Sequence, residues 1–208
     1  MDAPYHAQVL QRAIGARVSR PAMAAILAAN LDQDSLFGLL NFERHFDNSL
    51  FAEGLAYIEG CRSRAAQASR PQPAWDAFGR LSHTAQDFYS HSNYVALWME
   101  QFGDGPAPAV GQINGLDAAL LRHPSLKSGR VYLPLEALTL FPSLTPLLLR
   151  WLPRDSHAWV NLDNPTRGPL FPYSLEAAVQ RTLAEFERTL AAIGEECGEA
   201  AMRAFIDL

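Results

Sequence analysis

LSHTAQDFYSHSNYVALW, residues 81–98, decides how this chain is read. His83, Asp87 and His91 stand at i, i+4 and i+8. On an α-helix each four-residue step turns about 40° past a full turn, so all three project from one face. Two imidazoles and a carboxylate on one face form a metal-binding edge that needs partners from elsewhere. The rest of the chain offers His6, Asp34, His45 and His157. Five of the six histidines therefore fall where one centre would use them. Phe78, Leu81, Phe88, Tyr89, Val95 and Trp98 surround the triplet and place it inside the protein. Polar groups buried there are costly unless they are paired or metal-bound.

Each partner also has a plainer reading. A lone histidine is more often a paired core residue than a ligand, and only the shared face tips His83 and His91 toward metal. His45 lies in NFERHFDNSLF, where Asp47 and Asn48 equally suit a helix-start turn. His6 on its own reads as a solvent-facing residue near the terminus. Asp34 competes with Asp32 as the cap of a following helix. His157 is followed by Asn161 and Asp163, which read as turn residues before Pro165. His123 has no carboxylate nearby and stays outside the set.

Composition narrows the function classes. At 208 residues and 49% hydrophobic, the chain can bury a sizeable core, and a single domain over 1–208 is expected. The net charge of −5 and the lack of a basic run argue against a stable nucleic-acid complex. Cys61 and Cys197 are too few for a disulfide framework or a thiolate metal site, and both read as small buried apolar residues. No basic start with an apolar run marks a secretory signal. A cytoplasmic protein is expected, or one exported by a route without such a signal. The longest apolar stretch, 133–152, holds three prolines, Glu136 and Arg150, which makes it a poor membrane span. It reads as a core helix pair, with a lipid-facing or substrate-facing surface as the alternative.

The pattern predicts an all-α protein with a long loop-rich middle. Helices are expected over 5–16, over 19–30 with Ser19 as cap, over 32–40, and over 49–70 with Pro71 and Pro73 ending it. The motif helix is expected to run unbroken over 75–102. From 103 to 172 prolines and glycines are dense, with short helical pieces near 116–122, 135–140 and 145–151 and at most one strand at 129–133. Such a long loop region in a compact domain is usually functional. An amphipathic helix over 174–206, interrupted at Gly194 and Gly198, closes the chain.

LSHTAQDFYSHSNYV resembles the signature of the heterokaryon-incompatibility C (Het-C) family, itself similar to the zinc-dependent phospholipase C and single-strand nuclease superfamily. YHAQVLQRAIG, SRPAMAAILAANLDQDSLF with RHFDNSLFAEGLAYI, and SHAWVNLDNP resemble its other blocks. The resemblance implies a multi-helix domain of the phospholipase C type holding one to three Zn²⁺ ions, with other divalent metals admissible. It implies His6 as a ligand and Asp34 as a ligand or base beside the nucleophilic water. His45 would join His83 and Asp87 on one ion, with Asp87 bridging, and His91 and His157 would hold another. Asp34 and Asp87 would be catalytic. Metal-activated water would then hydrolyse a phospholipid or another phosphodiester. Two departures matter: Asn161 stands where active phospholipases have glutamate, and the chain begins Met1-Asp2 without their leading tryptophan. They motivate an alternative, a non-catalytic metal-binding helical module acting in membrane-surface association or self-recognition.

Overall fold

Pro71 and Pro73 open a helix instead of closing one. Prolines are tolerated in a first turn, where the backbone N–H groups have no intrahelical partner. The computed structural model describes residues 1–35, 38–140 and 144–207, without the side chains of residues 39, 139 and 140. Its helices are α1 (Ala3–Ile14), α2 (Arg20–Leu31), α3 (Phe51–Ala66), α4 (Pro71–His91), α5 (Tyr94–Glu100), α6 (Thr145–Leu148), α7 (His157–Val160), α8 (Phe171–Cys197) and α9 (Glu199–Ile206). No strand occurs among the described residues, so the all-α expectation holds. Ser19 caps α2 as predicted, accepting the Ala22 N–H at 3.2 Å.

Helix α4 is the axis of the bundle. Every residue from Leu81 to His91 is buried. Gly79 lets α2 cross closely, since a Cβ there would meet the Ile26 carbonyl oxygen at 2.3 Å. Phe78 meets Phe186 of α8 and Phe205 of α9 edge-on, and Phe88 packs between Phe46 and Tyr94. Helices α1, α2, α3, α4, α5, α8 and α9 all contribute to one apolar core. Cys61 joins it, whereas Cys197 is exposed.

Several expectations are corrected. The motif helix breaks at Ser92 and Asn93, because Asn93 leaves the helix to clamp 125–127. Its side chain accepts the Lys127 N–H at 2.8 Å and donates to the Ser125 carbonyl at 3.0 Å. The 32–40 segment forms two 3₁₀ turns, Asp32–Asp34 and Gly38–Leu40, and residues 36 and 37 of that expected helix lie outside the described residues. Residues 129–133 form no strand; only single bridges tie Ser128 to Ser92 and Arg130 to Ser156. Helix α8 runs through Gly194, whose missing Cβ makes room for Met202 of α9, and the break falls at Gly198 with φ +80°.

The 133–152 stretch does not form a core helix pair, though its residues 141–143 lie outside the described residues. Only Leu148 and Leu152, with Ala158, make a small satellite cluster. Leu133, Leu135, Leu138, Leu144, Leu147 and Trp151 stay exposed, Trp151 at 76%. No helix is long and apolar enough to cross a membrane among the described residues.

On α8, the buried Glu185 carboxylate binds Arg181 at 2.6 Å, Arg62 of α3 at 2.5 Å and Arg188 at 3.1 Å. Burial works against its charge, but Arg181 and Arg62 outweigh it and hold the carboxyl below 4.5. A carboxyl depressed by folding stabilises fully above its unfolded value and loses that contribution as pH falls through the folded one. Glu185→Gln should therefore cost on the order of 3 kcal/mol at pH 7 by stranding buried Arg181. Denaturant titrations from pH 7 down to 3 should show this cost shrinking with acidification. A cost that stays constant across that range contradicts the ion-pair account.

Candidate metal centre

Three irregular segments lace over the C-terminal end of α4 and aim polar side chains at it. The first is 42–50. Phe46, Asn48 and Ser49 all take left-handed backbone there, with φ of 57°, 56° and 58°, a conformation strained for non-glycine residues. Hydrogen bonds to the second segment hold it. The Asn48 N–H donates to the Gly129 carbonyl at 2.8 Å, the Ser49 N–H donates to Ser128 Oγ at 2.8 Å, and the Val131 N–H donates to Asn48 Oδ1 at 2.9 Å. The third segment, 155–163, is tied on by Arg130 N–H to the Asp155 carbonyl at 2.8 Å and His157 N–H to the Arg130 carbonyl at 2.9 Å. Gly129 is required for this approach, since a Cβ would lie 2.5 Å from the His157 Cα.

The result brings together every site residue that the sequence nominated. Asp34, His45, His83 and Asp87 offer donor atoms within 4.8 Å of one another. The Asp87 carboxylate, fully buried, divides its two oxygens. Oδ2 lies 2.8 Å from His45 Nδ1 and 3.0 Å from His83 Nε2. Oδ1 lies 3.3 Å from His6 Nε2 and 2.7 Å from the Met1 ammonium. Asp34 does not act as a cap alone: it stands 3.5 Å from His83 Nε2. A second group within the same distance is Asp47, His91 and His157, with His157 Nδ1 2.9 Å from Asp47 Oδ1.

Two carboxylates escaped the sequence reading. In sequence Asp47 suits a helix-start turn, and Asp163 suits a polar loop before Pro165. Asp163 Oδ1 lies 3.1 Å from His91 Nε2 and 2.9 Å from the Met1 ammonium. Asn161 does not stand in for it, because its Nδ2 turns back onto the His157 carbonyl at 3.0 Å. Spacing from His45 and His157 was the available signal, but Asp in a polar loop is more often turn chemistry. His123 lies apart, accepting the Ser125 N–H in its own turn.

Orientation of the imidazoles carries chemical information. His91 Nδ1 lies 2.9 Å from the His45 carbonyl, which only accepts, so Nδ1 carries the proton. His6 Nδ1 lies 2.5 Å from Gln86 Oε1, and Asn30 and Thr182 fix that amide by donating to Oε1 and accepting from Nε2. Both histidines therefore turn Nε2 toward carboxylates. The Nε2 of His6 and of His45 are buried without hydrogen-bond partners.

Charge follows from burial and neighbours. Burial drives His83 well below 6.5, against the pull of Asp87. Burial also opposes charge on Asp87 and Asp163, but the Met1 ammonium and the histidines hold both well below 3.8. Asp47 is likewise held below its ordinary value, with His157 and His91 overcoming its burial. Asp34 is raised by burial and by Asp87. His91 is raised well above 6.5, since Asp87, Asp47 and Asp163 outweigh burial. The Met1 ammonium, despite burial, is pushed up to about 12 by Asp163, Asp87 and Asp34. The donor set is imidazole and carboxylate without thiolate, which suits Zn²⁺ and related divalent ions.

A family model described as the VWA7 N-terminal domain matches residues 3–105, just under half of the chain. Over 86 residues the chain is 36% identical to von Willebrand factor A domain-containing protein 7 of Rattus norvegicus. That alignment takes 39% of this chain and spans about a tenth of the relative's length. No solved structure matches. These findings overturn the Het-C and phospholipase C resemblance, and with it the phosphoester hydrolase reading. The physical reason is plain: His-x-x-x-Asp-x-x-x-His is a spacing open to any helix-borne metal edge, so it does not distinguish families. The catalytic roles given to Asp34 and Asp87 rested on that resemblance. The first donor group lies wholly within the matched span, whereas His157 of the second lies beyond it.

In chelator-treated protein the imidazoles should separate in charge. At pH 6.5, two-dimensional nitrogen-15 spectra should show His91 as imidazolium and His83 as neutral imidazole. A His83 that protonates with an ordinary midpoint would contradict its burial beside His6 and His45.

Proposed function

We propose that this chain is a metal-binding helical module in which divalent ions of the zinc class act as buried cross-links rather than as catalysts. One observation carries the reading. His6 and His91 each fix Nδ1 on an oxygen acceptor and aim Nε2 at the carboxylates of Asp87 and Asp163. An imidazole nitrogen facing a carboxylate needs a proton or a metal ion between them, and a divalent cation that displaces the proton turns the pairing into coordination. Metal-ligating histidines are held in this way by their second ring nitrogen. Asp34, His45, His83 and Asp87, with His6, would hold one ion. Asp47, His91 and His157, with Asp163, would hold a second, and Asp87 lies between the groups. Bound there, each ion would supply positive charge where buried carboxylates converge.

Closure favours cross-linking over catalysis. Structural metal sites fill their coordination with protein groups, whereas catalytic ones keep an open position. Here His6, His83 and Asp87 are 0% exposed, and only Asp34 and His157 reach solvent appreciably. Metal analysis of purified protein should find roughly one to two ions per chain after reconstitution. Metal held at 100 times its Kd is worth about 2.7 kcal/mol, so chelation should lower Tm by roughly 5–10 °C. Asp87→Asn should lose the metal, and the partly exposed Asp34→Asn should weaken its binding while the protein stays folded. No uptake together with an unchanged melt overturns the reading.

The exposed apolar residues of 133–159 support a second one, association with an anionic membrane surface. Leu133, Leu144, Leu147, Trp151 and Trp159 are exposed, and Arg130, Arg150 and Arg154 neighbour them in sequence. Arg154 stacks on Trp159 at 3.9 Å. Tryptophan and arginine together suit a headgroup boundary. Vesicles containing phosphatidylserine should sediment the protein, neutral vesicles should do so less, and Trp151→Glu with Leu147→Glu should abolish it. Equal sedimentation of wild type and double variant would rule the surface out.

A further inference from the structure

A separate cavity of about 280 Å³ opens in the same framework. Its walls come from α3 (Phe51, Leu55 and Ile58), from α4 (Ala85 and Phe88), from α8 (Arg181 and Arg188), from Phe46, and from the 116–126 loop. None of these is a donor in the metal centre, although Phe46 and Phe88 each follow one in sequence. Among the lining residues the only charged ones are Arg122, Arg181 and Arg188, and no carboxylate lines the space.

Charge at this wall is unbalanced. Arg62, Arg181 and Arg188 share Glu185, and Glu59 adds a pair to Arg62. Arg122 has no ion-pair partner among the described residues and is exposed at the rim. Four guanidiniums thus face two carboxylates. Arg181 is 8% exposed and lines the space, so positive charge reaches inside an otherwise apolar cavity. An unfilled apolar space forfeits packing on all its walls. Here aromatic rings and leucines line a space whose every charged group is positive.

We infer that this cavity binds a single-chain fatty carboxylate, its tail among Phe46, Ile58, Ala85 and Phe88 and its head among Arg122, Arg181 and Arg188. The volume lies at the lower edge of ligand pockets, about 300 Å³ and upward, which admits one acyl chain and not a diacyl lipid. Guanidinium pairs a carboxylate through two parallel hydrogen bonds, so the head group gives direction and the tail gives contact area. The site stands apart from the metal reading, because it uses no metal donor.

Displacement of a dansylated undecanoic acid from the intact chain tests it, with dodecanoate, 1-dodecanol and dodecyl phosphate as competitors. Dodecanoate should displace the probe roughly tenfold more tightly than dodecanol. Arg122→Ala and Arg188→Ala, both at exposed positions, should each remove most of that preference and leave dodecanol binding unchanged. Leu116→Trp at the mouth should block probe and competitors alike while the circular dichroism spectrum stays native. Failure of the folded protein to enhance probe fluorescence overturns the proposal. So does binding that ignores Leu116→Trp, or one without preference for a carboxylate over the alcohol. Tighter binding of dodecyl phosphate replaces the fatty carboxylate with an alkyl phosphate.

Discussion

A carboxylate with no access to water has to be compensated, and Asp87 sets that requirement for this protein. Its two oxygens draw His6 from α1, His45 from an irregular loop and His83 from its own helix, together with the Met1 ammonium. The unpaired charge of a buried carboxylate costs far more than any single hydrogen bond returns. Segments distant in sequence are therefore committed to one end of α4. Much else follows from this commitment: the lacing of 42–50 through 128–131 to 155–163, the glycine at 129, and the left-handed turn that turns His45 and Asp47 toward the cluster.

The helical part of this arrangement was legible in the sequence because helix geometry is local. The i, i+4, i+8 spacing of His83, Asp87 and His91 places them on one face whatever surrounds them. Ser19 announced its cap for the same reason. His6, Asp34, His45 and His157 are candidates by residue type, and their individual roles came from a resemblance that the comparisons overturned, yet the geometry joins those residues all the same. Their chemistry, more than their lineage, was readable. Asp47 and Asp163 were not, since an acidic residue in a polar loop carries the same signal whether it turns the chain or faces a histidine.

Other misreadings share one cause, which is that tertiary contacts override local punctuation. Pro71 follows a helix and begins the next, and a proline pair alone does not say which. Asn93 ends α4 because 125–127 is there to receive it. Gly194 reads as an interruption until Met202 is seen to occupy the space of its missing side chain. Leu133, Leu135, Leu138, Leu144 and Leu147 carry core-like hydropathy but are exposed, and hydropathy has no term for direction.

The donors of the centre are scattered from residue 6 to residue 163, and this has a kinetic meaning. No stretch of a few dozen residues contains them all, so the cluster is assembled from non-local contacts whose loop-closure entropy must be met before they return anything. The bundle of α2, α3 and α4 can gather Asp34, His45, His83 and Asp87 through shorter loop closures, since these lie within about a quarter of the chain. His157 and Asp163 arrive only when the last third of the sequence folds back over His91. The left-handed turn at 46–49 is held chiefly by residues 128–131, so it too stays unsecured until that return. The centre is thus a latch in the topological sense, fastened across the chain by contacts such as His157 to Asp47, 110 residues apart.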